Sequence, residues 1–448
     1  MPKLHKLTYQ DWDGRNQVLD FIGSQPPAGR FHTTILTGHN GSHKSTILRE
    51  LVSALALPEY QSSLKLFPSS IESQGPVPVI CASGSVADRF PSKENAGRST
   101  EFDVPSYVYI GQRVGTNLLS KKRPLETAIA FALDEAVHER FEWPFYERAY
   151  QLAGIVPQLD LEFRRKATSK KERNFSARLL EFVQAKSADG KLSIDQGRSM
   201  SKAMAQYLTT EFTYDAFTEL ESALSGKGRG AIRVTLSHND LHSSHPLSLE
   251  AIRLGLLTGE LTLVDAQVTA RRSNKRYSVF DLSSGEYHML TTIIGLGFSV
   301  RDGALLLIDE PENSLHPQWQ QDFMDTLFEI CTFMRDGHVV ISTHSPLIVS
   351  SAQQGTTVVD LSRSAESAPT NSFRFGASAD DILFEQFGIA SSRNRYVVDL
   401  VQRAIALTES GHDNDLKSMR NELQRLRNLL RTDDPLADVI DALLEEEA

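Results

Sequence analysis

The chain has 448 residues, 47 Lys+Arg against 57 Asp+Glu, and a formal net charge of −10. With 40% hydrophobic and 23% charged residues, wholesale disorder is excluded and there is ample material for a large core. The acid excess argues against a protein that coats nucleic acid. Its two cysteines, Cys81 and Cys331, cannot build a disulfide framework or a Cys-rich zinc site. With no apolar leader at its start and no run approaching the ~20 residues of a membrane helix, the expectation is a cytoplasmic chain with no membrane partner.

In chain order, the first strong signal is the apolar, β-branched run Thr33–Thr37, which predicts a buried strand. It leads into Gly38-His39-Asn40-Gly41-Ser42-His43-Lys44-Ser45-Thr46, and then into helical spacing from Ile47 to Leu57. Strand, glycine-containing loop and helix form the unit that grips phosphates, because backbone N–H groups and the helix dipole face the anion. The loop is one residue away from the phosphate-loop pattern G-x-x-x-x-G-K-[ST]. Lys44 is expected to neutralise phosphate and Ser45 to ligate Mg²⁺. His43 stands where the pattern has its last glycine, which predicts a strained loop and slow turnover.

Short strands are expected at Val77–Ala82 and Tyr107–Ile110. Helical spacing dominates from about Pro124 to Leu224, and the basic run Arg164–Arg173 in its middle reads as a solvated helical linker, with phosphate contact as the second reading. Strand character returns at Ala231–Leu236 and Leu261–Ala270. The apolar run Ala304–Ile308 then ends in Asp309-Glu310, at the carboxyl end of a strand, where α/β sheets hold ligands. Asp309 is expected to hold Mg²⁺ through water, and Glu310 to polarise an attacking water. Past the next short strand, Val339–Ser342, stands His344, a candidate sensor of the terminal phosphate. Upstream, Leu282-Ser283-Ser284-Gly285-Glu286 opens an apolar helix. Strands alternating with helices predict an α/β core.

The segments Gly38–Thr46, Leu282–Glu286, Leu307–Pro311, Asn313–His316 and Ile341–Pro346 resemble, in order, the Walker A, signature, Walker B, D-loop and switch-histidine motifs of ABC-type ATPases. The resemblance implies an ABC-type (SMC-like) P-loop ATPase core with a helical insertion and a helical C-terminal region. On that pattern, residues 1–120 and 229–376 form the two parts of the core, 121–228 a mainly helical insertion, and 377–448 a helical partner or oligomer region. ATP and Mg²⁺ are the implied cofactors, with Gln112 as the Q-loop glutamine on the metal. Ser283, Ser284, Gly285 and Glu286 are then expected to cap the nucleotide of a partner copy, which implies a homodimer or higher oligomer.

The length of the insertion and the wording of the signature resemble the RecF/SMC-like branch. The stretches Asp309–Pro317 and Val79–Pro91 resemble ATPases of bacterial antiphage defence, most of all the Septu (PtuA-type) family, whose members act with a separate HNH nuclease. Nucleic acid would then be reached through the complex. Two alternatives stay open: a DNA repair or recombination ATPase that binds DNA itself, and a nucleotide-gated, non-enzymatic scaffold. Two further features have bland readings. His238, His242 and His245 sit in a polar loop without cysteines, which reads as a solvent-facing loop. The stripe Leu416, Met419, Leu423, Leu426 and Leu430 predicts an amphipathic helix packed on its own region, with partner docking as the second reading.

Overall fold

The computed structural model describes residues 4–361, except 11–13, 15, 23–29, 57–68, 74–76, 86, 92–93, 96–97, 100–102, 115–117, 139–143, 166–174, 185–190, 196–197, 226–230, 238–239 and 244–245, and residues 395–445, except 410–412 and 431–434. At its centre is a parallel sheet of six strands, in the order Thr357–Asp360, Phe31–Thr37, Gly337–Ser342, Leu305–Asp309, Val79–Ser83 and Tyr107–Ile110. The middle strands are apolar along their whole length because both faces are covered. Leu305 and Leu307 join the core on one face, with Leu48, Leu51 and Val52 of the helix Lys44–Ala56. Leu306 and Ile308 join the core on the other, with Leu290 and Ile294 of the helix Ser284–Ser299. The register sets Asp309 beside Ser83 on one neighbour and Ser342 on the other, and Ser342 beside Leu36. The loops after all four strands therefore leave the sheet at one edge, where ligands bind in sheets of this kind.

Between residues 121 and 228 the chain forms helices Arg123–Ala132, Glu135–His138, Pro144–Leu152, Phe175–Gln184, Lys202–Glu211 and Tyr214–Ser225. It also forms the strand Gln158–Arg165, at the centre of an antiparallel sheet. That strand pairs with Ile232–Ser237 on one side and Leu261–Thr269 on the other. The helical linker expected from Arg164 therefore begins as strand, and the rest of the basic run, 166–173, lies outside the described residues. The physical reason is visible in the alternation: Leu159, Leu161 and Phe163 are buried, while Asp160, Glu162 and Arg164 face the other side. Charged residues on the open face hide a period of two from a reading that weighs composition.

Near the N-terminus, Leu4–Gln10 pairs with Asn16–Asp20 and Ser69–Ser73 in a three-stranded antiparallel sheet. At the other end, helices Arg395–Glu409, Asp413–Leu429 and Pro435–Glu445 share a core of their own, including Val397, Leu400, Leu423, Leu426 and Ile440. The leucine stripe is thus covered by neighbouring helices, and Arg427 Nε donates to Asp441 Oδ1 at 2.7 Å across that bundle. The expected helix at Ile382–Phe387 lies outside the described residues. Among the described residues no helix is long and apolar enough to cross a membrane.

Candidate functional site

The loop between the first core strand and its helix turns back through three residues at positive φ: Gly38 (141°), Gly41 (86°) and His43 (71°). His43 is thus held in the left-handed region that glycine occupies without strain, at a cost of about 1 kcal/mol or more. Its carbonyl accepts the first helical bond, from Ile47 N at 2.8 Å. Lys44 is buried and its ammonium bends back into the loop, donating to Gly38 O at 2.9 Å and His39 O at 3.2 Å. Burial lowers its pKa, while Glu310, Asp309 and Glu312 pull it upward. The helix it opens has no acid in its first turn, so the N-terminal dipole is unopposed by the chain's own charge.

Asp309 ends the central strand and is almost fully buried. Its Oδ1 accepts from Ser45 Oγ at 3.0 Å and from the Ser342 hydroxyl. Burial nevertheless raises its pKa to about 6, against the pull of those two hydrogen bonds. A carboxylate and a hydroxyl held together at the foot of a phosphate loop suit Mg²⁺, a hard cation that takes oxygen ligands and keeps several waters. Among the described residues no group of three His, Cys, Asp or Glu side chains could hold a metal. A cation here would take its remaining ligands from water and phosphate.

The next residue, Glu310, also sits at positive φ, 49°. Its Oε2 accepts from Asn313 Nδ2 at 2.8 Å, and its Oε1 lies 3.7 Å from His344 Nε2. His344 is fixed through its backbone, which donates to Glu312 Oε1 at 2.6 Å. Burial, with Lys44 and His39 beside it, lowers the imidazole pKa, and Glu310 opposes that. His344 is therefore a neutral ring with one N–H to donate. Together Asn40, Gly41, Ser42, His43, Lys44, Ser45, Thr46, Glu310 and His344 line a cleft of about 170 Å³. Arg89 also lines it. Sequence reading missed this exposed cation, whose only signal was a basic residue just past a core strand.

Two glycines hold the turn 310–314 in place. A Cβ on Gly84 would stand 2.2 Å from Glu310 O, and one on Gly285 would stand 2.4 Å from Ser314 O. Ser314 is itself at φ 65°. Gly285 is thus buried against this turn, whereas Ser283 and Ser284 beside it are exposed. Ser283 caps its helix in a capping box: its Oγ accepts from Glu286 N at 3.3 Å, and Glu286 Oε2 accepts from Ser283 N at 2.9 Å. None of Ser283, Ser284, Gly285 and Glu286 lines the phosphate cleft. Gln112 does not line it either. It borders a second cavity of about 340 Å³, together with Ser284, His288 and Ser314. In a single chain, then, the loop, the two acids and His344 converge, while Gln112 and the signature segment stand apart from them. Of the histidine loop, His238 and His245 lie outside the described residues, and His242 lies in the short edge strand Asp240–Ser243.

A parallel sheet with a phosphate loop, a buried strand-end acid pair and a histidine on the adjacent strand defines an ABC-type P-loop ATPase, a class that binds ATP with Mg²⁺. Residues 262–350 match the family model described as "AAA domain, putative AbiEii toxin, Type IV TA system". Among curated proteins, protein ea59 of Escherichia phage lambda is 40% identical over 68 residues, a stretch that spans 15% of this chain and 13% of that protein. Among solved structures, an SMC head bound to the C-winged helix domain of ScpA aligns over 80% of this chain and 94% of its own, with 14% identity and a TM-score of 0.28. UvrA2 from Deinococcus radiodurans aligns over 82% of this chain and 37% of its own, with 13% identity and a TM-score of 0.28.

Proposed function

We propose that this protein is the ATP-binding, slowly hydrolysing subunit of a bacterial antiphage defence complex, in which nucleotide-dependent pairing of two copies regulates a separate HNH-type nuclease. The observation that carries the nucleotide part is the convergence of Lys44, Ser45, Asp309, Glu310 and His344 on one cleft that the signature segment of the same chain does not reach. The defence setting is supported by the abortive-infection wording of the matching family description. The C-terminal helices, with a core separate from that of the sheet, offer the nuclease a docking unit.

In this reading the loop N–H groups and Lys44 bind the phosphates, and Arg89 adds a second positive charge at the rim. Mg²⁺, held by Ser45 and Asp309 and reached by Gln112, would neutralise charge on the phosphate oxygens. Glu310, oriented by Asn313, accepts a proton from the attacking water. His344 donates its N–H to a terminal phosphoryl oxygen. Ser283, Ser284 and Gly285 of a partner copy close the site from outside, with Glu286 shaping that helix start. The strain at His43 keeps the loop from relaxing quickly between states, so bound ATP rather than rapid turnover sets the state of the complex.

The experiment is to measure the mass of Glu310→Gln in solution with and without Mg-ATP. A shift to twice the nucleotide-free mass, with the added HNH nuclease co-eluting, is the expected result. Bound ATP with no change in mass would contradict the pairing, and pairing without nuclease recruitment would remove the nuclease from the proposal.

A further inference from the structure

We infer that the hairpin tip 270–275 is a docking site for the phosphate backbone of duplex DNA. The strands Leu261–Thr269 and Arg276–Ser278 pair up to Thr269 and Arg276. Between them runs Ala270-Arg271-Arg272-Ser273-Asn274-Lys275, and residues 271–276 are all exposed. Four cations in six residues is a local excess that stands out in a chain of net charge −10.

Two observations separate this tip from an ordinary solvated turn. The first is its rigidity. Ala270 N donates to Lys275 O at 2.8 Å, Asn274 N to Ala270 O at 2.9 Å, and Arg271 N to Gly154 O at 3.0 Å, tying the tip to the neighbouring turn. Asn274 takes the left-handed conformation the turn demands, φ 56°, which Asn tolerates better than most residues. The cations are thus presented from a fixed backbone, and little ordering entropy remains to be lost on binding. The second is the pairing pattern across the same sheet. Arg164 lies 2.9 Å and Arg233 3.9 Å from Glu162, and Arg276 pairs with Asp160. Among the described residues no carboxylate lies within ion-pair reach of Arg271, Arg272 or Lys275. The sheet neutralises its own cations everywhere except at this tip.

The chemistry of the tip selects the partner. A protein interface has an apolar, often aromatic centre, and residues 271–276 include no apolar side chain. Single-stranded nucleic acid is held by stacking on aromatic rings, which the tip also lacks. Arginine, lysine, serine and asparagine on a rigid turn are the donors that grip backbone phosphates. The site needs no nucleotide for its chemistry, so it stands or falls separately from the ATP reading.

The test is the anisotropy of a labelled 30-base-pair duplex with the full chain, over a series of salt concentrations, alongside ATP binding. The charge reversals Arg271→Glu, Arg272→Glu and Lys275→Glu together are expected to weaken binding at least tenfold. They should also lower the slope of log K against log salt by about 2–3, at about 0.9 per phosphate released, while ATP binding and melting temperature stay unchanged. The milder triple glutamine variant should show the same change in slope. Absence of duplex binding by the unaltered chain at low salt, or reversals that leave the slope intact, would overturn the proposal. So would reversals that spare DNA binding but abolish capture of an acidic protein. Loss of ATP binding alone would bear on the nucleotide reading and not on this one.

Discussion

Two helix N-termini face two different situations in this fold. The helix at Lys44 follows a glycine-rich loop, carries no acid in its first turn, and has its lysine folded back over the loop carbonyls. The helix at Ser284 is closed by its own residues, Ser283 and Glu286, which satisfy each other's backbone N–H groups. The first is ready for an anion within its own chain. The second already carries a carboxylate at the position an incoming phosphate would approach, so a phosphate from outside must compete with Glu286. The difference teaches that one terminus binds and the other responds.

The variants that break this comparison can be ranked by expected effect. Lys44→Ala removes the charge at the first terminus and should abolish ATP binding at micromolar nucleotide, a drop of about 100-fold or more in affinity by equilibrium dialysis. Glu310→Gln should leave ATP binding within a few fold while lowering hydrolysis by about 100-fold or more in a phosphate-release assay, the usual range for a lost general base. Gly84→Ala forces a Cβ against Glu310 O and should destabilise the chain by roughly 2 kcal/mol in urea unfolding. His43→Gly relieves the left-handed strain in the first loop and should raise turnover by about two- to five-fold with little change in melting temperature.

Acid sensitivity sharpens the second terminus. His288, one turn into that helix, has its pKa pushed down to about 4 by burial. Between that value and its ordinary one near 6.5 the unfolded chain binds the extra proton and the fold does not. Its stabilising contribution is therefore complete above about pH 6.5, falls as pH drops toward 4, and levels off below that. His32 and His338, buried in the core sheet, shift in the same direction. Melting temperature should fall steadily from pH 6.5 to 4.5, and His288→Gln should flatten part of that slope.

The cleft was legible in the sequence because its parts are local. Gly38–Thr46 is one loop, and Leu305–Glu310 is one continuously apolar strand ending in acids. Each keeps its signal in a short window. Arg89 was not legible, since only the register of Val79–Ser83 beside Leu305–Asp309 brings its loop to the cleft. The antiparallel sheet was illegible for a different reason. Gln158–Arg165 finds its partners about 70 to 110 residues later, and its alternating charges read as solvated surface until both neighbours are known. The capping role of Glu286 lies between these cases: Ser283 and Glu286 stand three residues apart, the spacing of a capping box, yet the resemblance to a signature motif drew attention to nucleotide contact instead.

The most direct test of the central claim, that one copy's loop is completed by the other copy's exposed helix start, is a mixing experiment. Lys44→Ala disables the loop, and Ser284→Glu places a charge on the exposed start of the second helix. Each variant alone should be inactive in ATP hydrolysis. Mixed in equal amounts, they should regain measurable hydrolysis, because the mixed pair contains one site with an intact loop and an intact cap. A mixture as inactive as its components, although it forms mixed pairs, would contradict the account.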